Sequence, residues 1–110
     1  MTQVKEWSNQ ELNRKLAELM GWTEFKEDGH GGIWAVAPDY RWTNKMPDYC
    51  EDPAASLEVQ AKAIEVSAGE YVINLQKVVY TGNVNETISA LLNATPRQRA
   101  EAAYITLSSK

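Results

Sequence analysis

The residues with the clearest chemical potential are Thr95, Arg97 and Arg99, in the stretch Thr95-Pro96-Arg97-Gln98-Arg99. Threonine followed by proline is the pattern of a helix N-cap and first helical position, so the segment opens a helix. Free backbone N–H groups and the positive end of the dipole favour an anion there, and one hydroxyl with two guanidiniums adds donors suited to phosphate or pyrophosphate. Arginine at a helix N-terminus is unfavourable for the helix itself, which a ligand would offset. The plainer alternative is an ion pair, because Arg97 and Glu101 are four residues apart, while Arg97 and Arg99 diverge on a regular helix.

Other reactive groups do not assemble into a catalytic pattern. His30, in Gly29-His30-Gly31-Gly32, has the glycine setting of an oxyanion loop, but no Gly-x-Ser-x-Gly nucleophile accompanies it, so it reads as a turn histidine. Cys50 and His30 are the sole thiol and imidazole and show no tight zinc-ligand spacing; no metal site is expected. Asp48, Glu51 and Asp52 could hold a hard cation, but Asp52 is already explained as a helix cap and its neighbours by the favourable field of a helix N-terminus. With no phosphate-binding Gly-rich loop and no nucleophile–base pair at a familiar spacing, the expectation is a protein that binds without turnover and needs no cofactor. Trp34, Tyr40, Arg41, Trp42, Lys45 and Tyr49 interleave rings with cations, a composition that can stack bases. The alternative places Trp34 and Trp42 in the core and leaves the cations in solvent.

These residues must be positioned by a mixture of helices and strands. Ser8-Asn9-Gln10-Glu11 is a capping box, Leu12, Leu16, Leu19 and Met20 form one apolar stripe, and Gly21 can close the helix, which predicts a helix over 9–20. Residues 22–26 and 33–37 are aromatic and β-branched runs around a Gly-rich turn and predict a β-hairpin. Asp52-Pro53 starts a second helix, carried by Ala54, Leu57, Ala61 and Ile64 as far as Gly69. From Glu70 to Tyr80 the alternation of Tyr71, Ile73 and Leu75 predicts one or two strands. Residues 84–93 suit a short helix capped by Asn83 with Glu86 or, alternatively, a strand, and Ala100, Ala103, Tyr104 and Leu107 stripe the last helix. The fold class expected is α+β, an antiparallel sheet packed against helices in one domain over 1–110, with its ordered core at about 8–107.

Composition narrows the partners. The 110 residues are 44% hydrophobic and 24% charged, ordinary values for one globular domain. A net charge of −4 and a pI near 5.0 argue against a long nucleic acid as partner, while a small anion needs only two or three local donors. No long apolar run or leader-like N-terminus suggests a membrane, and the single cysteine fits the cytoplasm.

Trp42, Pro47-Asp48-Tyr49-Cys50-Glu51-Asp52 and the helix Ala54-Ala55-Ser56-Leu57-Glu58-Val59 together resemble the phage ABA-sandwich domain family. There a tryptophan precedes a Pro-x-Tyr-Ser-x-Asp stretch and an Ala-rich amphipathic helix. The likeness extends to the Leu-rich first helix with Gly21-Trp22, to Trp34, and to the closing Thr95-Pro96-x-x-x-Ala100-x-x-Ala103 helix, covering most of residues 11–107. Cys50 stands where serine or threonine is common, so that hydroxyl is absent here.

The branch it looks like is the first viral anti-Thoeris family. The resemblance implies a hexameric sponge in the cytoplasm of an infected bacterium. Such sponges bind cyclic ADP-ribose isomers, and in some cases cyclic oligonucleotides of the CBASS type, without cleaving them. On that reading the phosphates lie on Arg97, Arg99 and Thr95 beside Glu101, with Tyr71 on the preceding strand and Asn83 in the turn as partners of the adenine. A second ligand site near the oligomer axis would use Arg14 or Lys15 with Arg41 or Lys45. The alternative is a phage structural or regulatory protein acting through protein contacts.

Overall fold

The computed structural model describes residues 4–80 and 82–109. After a 3-10 turn at Val4–Glu6, the elements run α1 (Asn9–Leu19), β1 (Thr23–Glu27), β2 (Ile33–Val36), β3 (Trp42–Thr43), α2 (Pro53–Val79), α3 (Val84–Leu92) and α4 (Pro96–Ser108). The fold is α+β: an antiparallel sheet in the order β1-β2-β3 beside four helices. Among the described residues no helix is long and apolar enough to cross a membrane.

Local signals explain most of the boundaries. The Ser8 hydroxyl accepts from the Glu11 amide at 3.1 Å and starts α1. At the other end Gly21 takes φ +103°, its amide donating to Glu18 O and that of Trp22 to Ala17 O, the paired bonds of a Schellman cap. Trp22 is thereby turned into the core. The β1–β2 hairpin forms as expected, and β3 adds a short strand inside the Pro- and Asp-rich stretch that follows. The turn into β3 closes with Ala37 N–H donating to Arg41 O, and places the exposed Tyr40 at φ +69°.

Residues 70–79 are helical, correcting the strand expectation over 70–80. Tyr71, Leu75 and Val79 are the buried positions, a spacing of four that also reads as an alternating run because Ile73 lies between them. Gly69 does not end the helix either. The break falls at Ser67, whose extended backbone (φ −165°, ψ 98°) divides α2 and whose hydroxyl accepts from the Glu70 amide at 3.3 Å, restarting the helix. The bend brings the two halves together: Tyr71 Oη donates to Gln60 Oε1 at 2.8 Å, although eleven residues of straight helix would put their Cα atoms about 16 Å apart. Both halves of α2 pack on α4, which is buried at Ala100, Ala102, Ala103, Thr106 and Leu107. Burial on more than one side makes α4 the central helix, with α1 on a further flank.

Candidate anion-binding site

The first turn of α4 is built as the sequence predicts. Thr95 Oγ1 accepts from the Gln98 amide at 3.1 Å and Gln98 Oε1 accepts from the Thr95 amide at 2.9 Å, a complete capping box. Thr95 therefore already serves the helix, and so does Asn83, whose Oδ1 accepts from the Glu86 amide at the start of α3. Contacts of Arg97 with Cys50 and of Arg99 with Ser56 bring the first turns of α2 and α4 together, so two positive helix ends share this corner.

Arg97 is spent within the fold. Its Nε donates to Glu101 Oε2 at 2.7 Å, Nη1 to Asn9 Oδ1 at 2.9 Å and to Cys50 Sγ at 3.8 Å, and Nη2 to the carbonyls of Val4 and Trp7 at 3.0 and 2.8 Å. All the N–H donors of a guanidinium are thus engaged. The Arg97–Glu101 pair does form, but largely buried, and it leaves Arg97 no donor for a phosphate. Arg99 points elsewhere: Nη1 donates to Ser56 Oγ at 3.3 Å, and no ion pair to Arg99 is seen among the described residues. The two arginines therefore do not converge on one ligand within a single subunit.

Tyr71 is not placed to stack on a base. It lies 2% exposed inside the bend of α2, on a helix rather than a strand. Burial pushes its phenol up to about 12, with nearby Arg99 acting in the opposite direction. Burial likewise raises Tyr49 to about 12, helped by Glu58, and the Cys50 thiol to about 11 against the pull of Arg97. In each case the folded protein holds the proton more tightly than the unfolded chain. Their contribution is complete below the ordinary values near 9 to 10 and is lost as pH rises through 11 and 12. Alkaline titration should therefore show cooperative unfolding above about pH 9. Tyrosinate absorbance from Tyr49 and Tyr71 should appear with the loss of helix signal; full ionisation of all tyrosines before any loss would contradict their burial.

The second set of cations is likewise dispersed. Arg14 lies over the Phe25 ring at 5.1 Å and pairs with Glu18 at 3.8 Å, while Lys15 lies over Trp7 at 5.2 Å. Arg41 pairs with Asp39 at 2.6 Å, and no described contact joins it or the exposed Lys45 to Arg14 or Lys15. Of the interleaved aromatics, Tyr49 is core, whereas Trp34 and Trp42 stack at 5.8 Å with Trp42 half-exposed. Comparison with protein-family models, with curated proteins and with solved structures returned no match.

An open groove of about 360 Å³ runs between the start of α1, β2 and the segment before α2, lined in part by Asn9, Gln10, Asn13, Asn44, Asp48 and Glu51. Asn13 Nδ2 donates to Asp48 Oδ1 and its Oδ1 accepts from the Cys50 amide, while Asn9 bridges Arg97 and Glu51. The amides latch α1 to the entry of α2, and the carboxylates make the groove unsuited to phosphate. Asn9 and Asn13 are four apart on one face of α1, the only prior sign of a shared role.

Proposed function

We propose that the protein is a non-catalytic binder that sequesters a small anionic ligand, of the cyclic nucleotide kind, as a homo-oligomer in the bacterial host cytoplasm. One observation supports the anion: Arg99 is half-buried at the joined first turns of α2 and α4, and its partner there is the neutral Ser56 hydroxyl. A guanidinium drawn partly out of water gains most from a counter-charge, and two helix N-termini add to that preference. The choice of a cyclic ADP-ribose isomer or a cyclic oligonucleotide rests on the resemblance to the phage sponges. With Arg97 committed to the fold and the Thr95 hydroxyl oxygen to the capping box, Arg99 is the charged donor left to this reading at that corner.

Calorimetric titration with cyclic ADP-ribose isomers and cyclic dinucleotides tests it. Arg99→Ala should weaken binding roughly ten- to hundredfold, the worth of a charged hydrogen bond of about 1.5–3 kcal/mol, with little change in melting. The ligand should be recovered chemically intact after long incubation. Absence of binding to every one of these ligands would sink the reading, and turnover would replace it with an enzyme. A second reading, action through protein contacts, is favoured by the exposed apolar side chains of α2 and α3; a polypeptide co-purifying stoichiometrically in place of a nucleotide would support it.

A further inference from the structure

α3 is a nine-residue helix with one buried residue, Thr87. Its apolar stripe faces outward: Val84 is 76% exposed, Ile88 51% and Leu92 79%. So short a helix is marginal without tertiary packing, and here Ala90 and Leu91 lean on the core while the larger apolar side chains of the stripe are turned away from it. The second half of α2 continues the same surface with Ile73 and Tyr80, both more than half exposed. Two furrows of about 360 and 130 Å³ run along it and share Gln76 and Tyr80, so ridge and groove lie on one continuous patch.

These five side chains present on the order of 500–600 Å² of accessible surface, at the top of the range usual for the largest patch on a monomer. That is most of the roughly 800 Å² per partner in a standard protein interface. Lys77 is the one charged residue lining the furrows. A single cation in a chain of net charge −4 does not suit an anionic membrane or a nucleic acid. A second copy is compatible with it, because Lys77 is exposed and its flexible stem lets both ammonium groups stay in water at the rim while the apolar side chains meet. A surface that contains its own ridge and its own groove meets the requirement of a two-fold contact, in which one patch must complement itself.

We propose that the face formed by α3 and the second half of α2 is a two-fold interface with a second copy of this chain, the two α3 helices crossing antiparallel. The proposal rests on the reading of the protein as a homo-oligomer and adds the surface that joins it. Ile88 is the midpoint of the Val84–Leu92 stripe, so in an antiparallel crossing it meets its own counterpart.

Light scattering of the full chain across about 1–100 μM, a range that brackets typical dimer affinities, measures the assembly. Ile88→Glu and Val84→Glu should weaken it at least a hundredfold and release a smaller species of unchanged helix content, while Tyr40→Glu, on the β2–β3 turn, should not. Should the charged variants unfold, Ile88→Cys in a Cys50→Ser background gives a second readout: mild oxidation should link two chains through residue 88, and Tyr40→Cys should remain unlinked. A monomeric parent at 100 μM overturns the interface and the homo-oligomer together, while leaving Arg99-dependent ligand binding to stand or fall by its own titration. An assembled parent that tolerates both glutamates and does not cross-link at 88 overturns the interface alone.

Discussion

Arg97→Ala should destabilise the domain by about 3–5 kcal/mol, the loss typical when one partner of a buried ion pair is removed. The Arg97 side chain is 21% exposed and that of Glu101 12%, so truncation strands a carboxylate that water reaches poorly. The same change unpairs Asn9 Oδ1 and the carbonyls of Val4 and Trp7, which leaves the 3-10 turn and the start of α1 without their tie to α4. Thermal and denaturant melts of Arg97→Ala, Glu101→Gln and the paired change Arg97→Met with Glu101→Leu check the argument. The paired apolar change should recover part of the loss, because it removes both charges at once, though not the carbonyl contacts. A ligand-binding arginine behaves otherwise: if Arg97→Ala melts like the parent and only loses affinity for cyclic nucleotides, Arg97 is not a structural hub and the phosphate cradle is right.

Tyr71→Ala should cost about 3–5 kcal/mol, comparable to other large aromatic deletions in cores. Its ring fills the inside of the α2 bend, where it keeps the two halves of the helix folded toward each other. Tyr71→Phe retains the ring and removes the hydroxyl, so it should cost only about 1 kcal/mol, the ordinary value of a hydrogen bond, with Gln60 turning to solvent. Urea unfolding of the two variants separates these effects. Equal losses would mean that the hydroxyl, not the ring, holds the bend. No loss in either would place Tyr71 on the surface, where a stacking role could be reconsidered.

The starts of α1, α2, α3 and α4 were legible because each is written within four residues: Ser8, Asp52-Pro53, Asn83 and Thr95-Pro96 are side chains that satisfy nearby amides. The Gly21 stop was legible for the same reason. The strand expectation at 70–80 failed because Tyr71 and Leu75 fit periods of both two and four, and β-branched Val72 and Ile73 favoured the extended choice. In the fold those two point to solvent, where propensity yields to the packing of Tyr71, Leu75 and Val79 on α4. The Ser67 bend carried no signal beyond a lone serine next to Ala68-Gly69.

At the candidate site the divergence of Arg97 and Arg99 and the Arg97–Glu101 spacing could be read locally. The acceptors that occupy the rest of Arg97 could not, since two of them are backbone carbonyls and carry no residue identity. Nor could the half-burial of Arg99 against Ser56, which depends on α2 and α4 starting side by side.

The bonds from Arg97 to Val4 and Trp7 span 93 and 90 positions along the chain, so they set an order of events during synthesis. The 3-10 turn at Val4–Glu6 is synthesised well before its donor, and the central helix on which α1 and both halves of α2 must pack emerges after all of them. The decisive step in folding this domain is therefore the long-range closure made by α4, which slows it. Nascent chains arrested before α4 should remain protease-sensitive throughout, and protection should appear at α1 and α2 together once residues 96–108 clear the exit tunnel.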